Sequence, residues 1–231
     1  VRLEFLPPAG LSCSPGFGAT YNGAASATAV QFYAAAASRT VNYGVFDPAR
    51  YRTAASTNPT VAFTRFHLED GGAGLASRDV IGNFGYTSTG ITAETYYTSP
   101  LSTVGSLWAV AYNRSSNRIF TAAVFKRHTR LGTGGTGGIY VTDPVANTTS
   151  LFATIPNAGT NQHESNLFLD RINNAGTFNT SGTSNPVTAA GTSSLGGMDL
   201  SEDYSTLYVT NLNDKLIYQV NATTGVVSAT T

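Results

Sequence analysis

The sequence predicts an all-β protein built from small four-stranded antiparallel modules, and three observations carry that prediction. Residues 194–231, SLGGMDLSEDYSTLYVTNLNDKLIYQVNATTGVVSATT, break into four runs at 195–200, 206–211, 216–220 and 226–230, each bounded by Asp, Asn, Ser or Gly. Residues 106–155 repeat the plan with a longer middle loop, their runs falling at 107–112, 118–125, 139–142 and 150–155. Third, only 11% of residues are charged, against roughly 25% in an average soluble domain, while 41% are hydrophobic, with 12 Tyr and 12 Phe to fill a core.

Within the last module, Leu207, Tyr208 and Val209 form an apolar run that suits an inner strand covered on both faces. A sheet this small cannot bury its own faces and has to stack on something similar. The two copies provide that partner. NRSSNRIFTAAV aligns with SEDYSTLYVTN, and IYVTDPVANTTSLFATI with IYQVNATTGVVSATT. Two imperfect copies side by side are expected as neighbouring blades of a β-propeller. Closure takes about four or more blades, so the expectation is a partial propeller, or a stacked assembly whose sheets other chains complete.

Tyr208-Val209-Thr210-Asn211, placed after SED and before an IYQV strand and a TTG turn, resembles the YVTN family of β-propeller repeats of microbial surface proteins. FKRHTRLGTGGTGGIYVTD followed by GGMDLSEDYSTLYVTNL is similar to propeller-like regions of large bacterial cell-surface proteins. In such proteins an SdrD-like B domain, an immunoglobulin-like sandwich, often precedes the propeller. The resemblance therefore implies a cell-surface role and a sandwich-like piece ahead of the blades.

Taken in order, residues 1–48 hold short alternating strands between Pro and Gly, and their sequence VRLEF, VQFY, VNYGVFDP is similar to the last strands of an SdrD-like B domain. In VRLEF, Val1, Leu3 and Phe5 alternate with Arg2 and Glu4, as a half-buried strand requires. Residues 49–78 form a turn-rich connector around one strand, VAFTRFHL, and residues 79–231 the propeller-like region. Strand candidates at 79–86 and 91–97 flank the turn TSTG and make a partial blade. The Asn-, Gly-, Thr- and Ser-rich insertion at 156–193 is too long for a plain turn. It contains one periodic segment, HESNLFLDRI, that is a helix candidate.

The 13 basic and 13 acidic residues cancel, so no long-range field argues for a nucleic-acid partner. No apolar run reaches the 18 or so residues of a membrane-spanning helix. The lone Cys13 excludes an internal disulfide and a cysteine zinc site, and is read as a small loop residue. The chain opens inside an apparent strand without Met, which reads as a mature or excised piece of a longer secreted protein.

Motif chemistry is sparse. Gly132 to Gly137, GTGGTG, satisfies G-x-G-x-x-G but runs into a strand rather than a helix, so a nucleotide site is not expected. Lys126, Arg127, His128 and Arg130 precede it, cations that could hold an anion beside loop amides, although a solvated loop is the simpler reading. His163-Glu164 has no second His four residues on, and His67, His128 and His163 are scattered. Asp199, Glu202, Asp203, Asn211, Asn213 and Asp214 offer hard oxygens, but without the spacing of a calcium loop and where Asp and Asn ordinarily form turns. No catalytic residue, metal or cofactor is expected. Trp108 with Tyr112 are candidate carbohydrate contacts, and inter-blade packing is the competing role for such aromatics. Asn113, Asn147, Asn179 and Asn221 fit N-x-S/T and are glycosylation candidates.

These features lead to one expected function: a secreted, extracellular or cell-surface structural or adhesive protein, non-catalytic, associating with copies of itself, other surface proteins or glycans. Association would run through strand edges and loops, in a filament or surface layer. The alternatives are a propeller hydrolase or lyase with a central metal-assisted site drawn from His67, His128, His163, Glu164, Asp170 and Asp199, or a carbohydrate-binding module.

Overall fold

The computed structural model describes residues 2–9, 12–13, 20–21, 24–25, 30–32, 44–46, 58–69, 75–90, 94–164, 167, 170 and 186–229. The chain divides into two units, Val1–Pro59 and Thr60–Thr231. Its described strands pair antiparallel, and the fold is all-β.

The first unit holds short strands β1 (Arg2–Glu4), β2 (Ser12–Cys13), β3 (Thr20–Tyr21), β4 (Ala24–Ala25), β5 (Val30–Phe32) and β6 (Val45–Phe46). They pair as β1 with β5, β2 with β6 and β3 with β4. The alternation in VRLEF does not produce a covered side in β1. Leu3 is exposed like its neighbours; a two-stranded ladder is too small to bury a face of its own. Arg2 and Glu4, two apart and so on one face, form a salt bridge of 2.8 Å.

The second unit begins with a three-stranded meander, β7 (Thr60–Thr64), β8 (Ile81–Gly85) and β9 (Thr95–Tyr96). The VAFTRFHL strand expected inside a connector is β7, and it pairs along its length with β8. One helical turn, α1 (Leu101–Val104), leads into a four-stranded sheet of β10 (Leu107–Asn113), β11 (Arg118–Ala123), β12 (Gly138–Asp143) and β13 (Thr148–Thr154). A second turn of helix, α2 (Pro186–Ala189), precedes the last sheet: β14 (Leu195–Leu200), β15 (Thr206–Asn211), β16 (Ile217–Asn221) and β17 (Val227–Ala229). Each expected run in the two modules is a strand. The helix candidate HESNLFLDRI falls mostly outside the described residues.

The two four-stranded sheets match in detail. Both open on a buried Ser-Leu pair, Ser106-Leu107 and Ser194-Leu195, and pairing slips at the same place, between Leu107 and Val110 and between Leu195 and Met198. A bulge adds local twist, so its repetition gives both first strands the same bend. Their turns share one device. Asn113, Asp143 and Asn221 each accept, through Oδ1, the amides two and three residues on, at 2.8–3.1 Å.

Successive sheets stack with a fixed sense. Phe120, Ala122 and Ile139 on one face of the β10–β13 sheet pack against Leu207, Val209, Tyr218 and Val220 of the β14–β17 sheet in a shared core. The opposite face, through Leu107 and Tyr140, covers Val80, Ile81, Leu101 and Val104. The first strands β7, β10 and β14 lie next to one another in that order. As a result β11 is buried on both faces. Its counterpart β15 is not: Leu207 and Val209 are buried, but Tyr208 between them is 42% exposed. The continuous apolar run therefore does not mean two covered faces here, because among the described residues only one neighbouring sheet lies on the last module.

The Gly132–Gly137 loop has a packing role. It closes through a 3-10 turn at Gly135–Gly137 and enters β12. The amide of Gly134 donates to the buried Tyr140 hydroxyl at 2.9 Å, and a Cβ on Gly132 would stand 2.4 Å from that same oxygen. Glycine is required because the backbone wraps a phenol, whose pKa burial pushes up.

Candidate functional site

The histidines separated in sequence do come together, through backbone as much as through side chains. Asp170, fully buried, is the hub. Its carboxylate accepts the ring Nδ1–H of His163, the amide of Glu164 at 2.8 Å and the amide of His128 at 3.1 Å. Burial pushes the Asp170 carboxyl up, but the bonds from His163, Glu164 and His128 outweigh it and hold the group below the usual carboxylate range. The His163 ring stacks on Phe125 with centroids 4.3 Å apart, and its buried Nε2 has no hydrogen-bond partner among the described residues.

The strand of contacts continues outward. The His128 ring nitrogen Nδ1 lies 2.8 Å from the Leu167 carbonyl; since a carbonyl only accepts, Nδ1 carries the proton. Glu69 donates its amide to the His128 carbonyl at 2.8 Å, and its own carboxylate accepts the Arg130 amide at 2.9 Å and Nε at 2.7 Å. Thr129 bonds the His67 carbonyl at 3.1 Å. The His67 ring turns instead to the Asp79 carbonyl, and burial followed by nearby arginines lowers its proton affinity despite that bond. The network clamps His163, Glu164, Leu167 and Asp170 of the insertion to the loop after β11. Polar side chains meet at His163–Asp170 and Glu69–Arg130, and among the described residues no three His, Cys, Asp or Glu groups gather as metal ligands. Asp199 stands apart, its carboxylate on the amide of Leu200.

Beside this clamp lies a cavity of about 330 Å³ lined by Phe66, Trp108, Val124, Phe125, Lys126, Arg127, His128 and Ala190. Trp108 is 62% exposed. Tyr112 is on the same side of β10 but does not line the cavity; four residues along a strand is roughly 13 Å, and its hydroxyl donates to Asn117 at 3.0 Å. The two aromatics therefore do not share this cavity.

The other candidate residues fall in turns. Asp203 accepts the Ser201 and Ser205 hydroxyls and the Ser205 amide, and Asp214 accepts the Leu216 amide and the Tyr218 hydroxyl. Asn113 is 4% exposed and donates its amide nitrogen to the Tyr204 carbonyl, so a glycan there would displace that bond. Asn147 and Asn221 are exposed in corresponding turns, Asn147 accepting the Thr98 amide. Asn179 and the side chain of Cys13 lie outside the described residues. Sequence reasoning grouped His128, His163, Glu164 and Asp170 only as members of a central metal-assisted site; that Asp170 accepts from His163 and from two backbone amides, with partners 6 to 42 residues away, no motif announced. No family model matches the chain, and no curated protein matches it significantly. Among the described residues no helix is long and apolar enough to cross a membrane.

Proposed function

We propose that this chain is a non-catalytic structural or adhesive protein of the cell surface, a partial propeller that associates by stacking modules of one plan. The observation that carries the reading is the equivalence of two sheet faces. By strand register Phe120, Ala122 and Ile139 of the β10–β13 sheet correspond to Tyr208, Thr210 and Ile217 of the β14–β17 sheet. The first set is buried under a neighbouring sheet, whereas Tyr208 and Ile217 are 42% and 45% exposed. A face with this pattern accepts the opposite face of a module of the same kind. The three-stranded sheet supplies a counterpart, with half-buried Phe63, Phe84 and Tyr96 on one side and the Phe63 ring in contact with the other two.

Joining the last sheet of one copy to the first sheet of the next is a head-to-tail contact, which propagates into filaments when it does not close. The YVTN-like resemblance, the SdrD-like opening and the low charge support an extracellular location for such an assembly. Sedimentation velocity over a concentration series tests it. Self-association is expected in the wild type, with loss in Tyr208→Lys/Ile217→Lys at unchanged melting temperature. A wild type that stays monomeric at high concentration, or a double variant that associates equally, would refute the reading.

A further inference from the structure

We infer that the cavity beside Trp108 is a binding site for a carboxylated sugar ring. The repeat plan shows that Trp108 is not there to build the module. The corresponding position in the last sheet is Gly196, and the β14–β15 pairing forms with the same bulge. Trp108 nevertheless presents a largely exposed indole at the cavity, and a flat aromatic face with a polar surround is what the C–H face of a sugar stacks on. The loop that forms the other wall is likewise an addition. Residues 124–137 join β11 to β12, where residues 212–216 suffice between β15 and β16.

That added loop carries an unbalanced positive charge. Lys126 stands over the Phe66 ring, Nζ 4.6 Å from its centroid, an arrangement that holds the ammonium at the apolar wall. Among the described residues neither Lys126 nor Arg127 forms an ion pair. The Glu69 carboxylate is held by Arg130, and that of Asp170 by His163 and two amides. His128, with its Nδ1 proton given to Leu167, keeps Nε2 as an acceptor for a hydroxyl. Two cations, one acceptor and a stacking ring in a volume at the lower end of ligand pockets select one pyranose-sized anion. The site uses none of the residues of the open Tyr208 face, so it stands apart from the stacking reading.

The test uses the full chain and the fluorescence of its single tryptophan, titrated with glucuronate and galacturonate beside glucose and galactose. Saturable change with at least one uronate, about tenfold tighter than its neutral counterpart and weakened by salt, is expected. By NMR titration Trp108→Gly should lose about tenfold in affinity or more while keeping the wild-type melting temperature, as the glycine in the other module implies. Lys126→Ala/Arg127→Ala should erase the preference for the uronate. No uronate binding, equal binding of neutral sugars, or unchanged affinity in folded Trp108→Gly would each overturn the inference.

Discussion

Replacing Phe120 and Tyr208 separately by alanine tests the stacking of the two modules at one register position. Phe120 is 1% exposed and meets Phe152 edge-on with centroids 5.0 Å apart. Truncating such a ring removes its transfer free energy and leaves a cavity, together about 3–5 kcal/mol. Tyr208 occupies the matching place with one face in solvent, and its loss should cost about 1 kcal/mol or less. The gap, on the order of 2–4 kcal/mol, is a large fraction of a domain stability of about 5–15 kcal/mol. Urea denaturation followed through Trp108, which lies on β10 of the same sheet, reads it directly. With a slope of about 1–3 kcal/mol per molar urea, the Phe120→Ala midpoint should fall on the order of 1–5 M below wild type, and the Tyr208→Ala midpoint by a small part of that. Equal shifts in the two variants would mean that no sheet covers Phe120.

Three further outcomes follow from individual contacts. A Cβ on Gly137 would stand 2.1 Å from the Ile155 carbonyl oxygen, whereas one on Gly197 meets open space; Gly137→Ala should cost about 1–3 kcal/mol and lower the melting temperature, Gly197→Ala should not, and calorimetry compares them. Asp170→Asn removes the partner of His163 and places an amide N–H against backbone donors, a loss of about 3 kcal/mol near pH 7. Because the folded Asp170 carboxyl is depressed, its contribution is complete above the unfolded value of about 4 and is lost as pH falls through the lower folded value. Urea titrations should therefore show the wild-type advantage shrinking as the pH falls below about 4, and an undiminished gap in strong acid would contradict the clamp. The Asp203 carboxyl, held down to about 2 by the Ser201 hydroxyl and then by the Ser205 amide and hydroxyl, should titrate near that value by carbon-detected NMR, and Ser201→Ala should raise it.

What the residues alone determined was local. Strand positions in both four-stranded modules were legible because apolar runs end at Asn, Asp and Gly, and those residues do close the turns through their own side chains. The tertiary structure decided which faces those strands cover. LYV at 207–209 aligns with IFT at 119–121, yet only the second lies between two sheets, since burial depends on a neighbour far along the chain. It also decided that GTGGTG wraps the Tyr140 hydroxyl. The Asp170 clamp and the Trp108 cavity belong to the same class: each draws in residues tens of positions apart, and chain folding, not spacing, sets the distances between them.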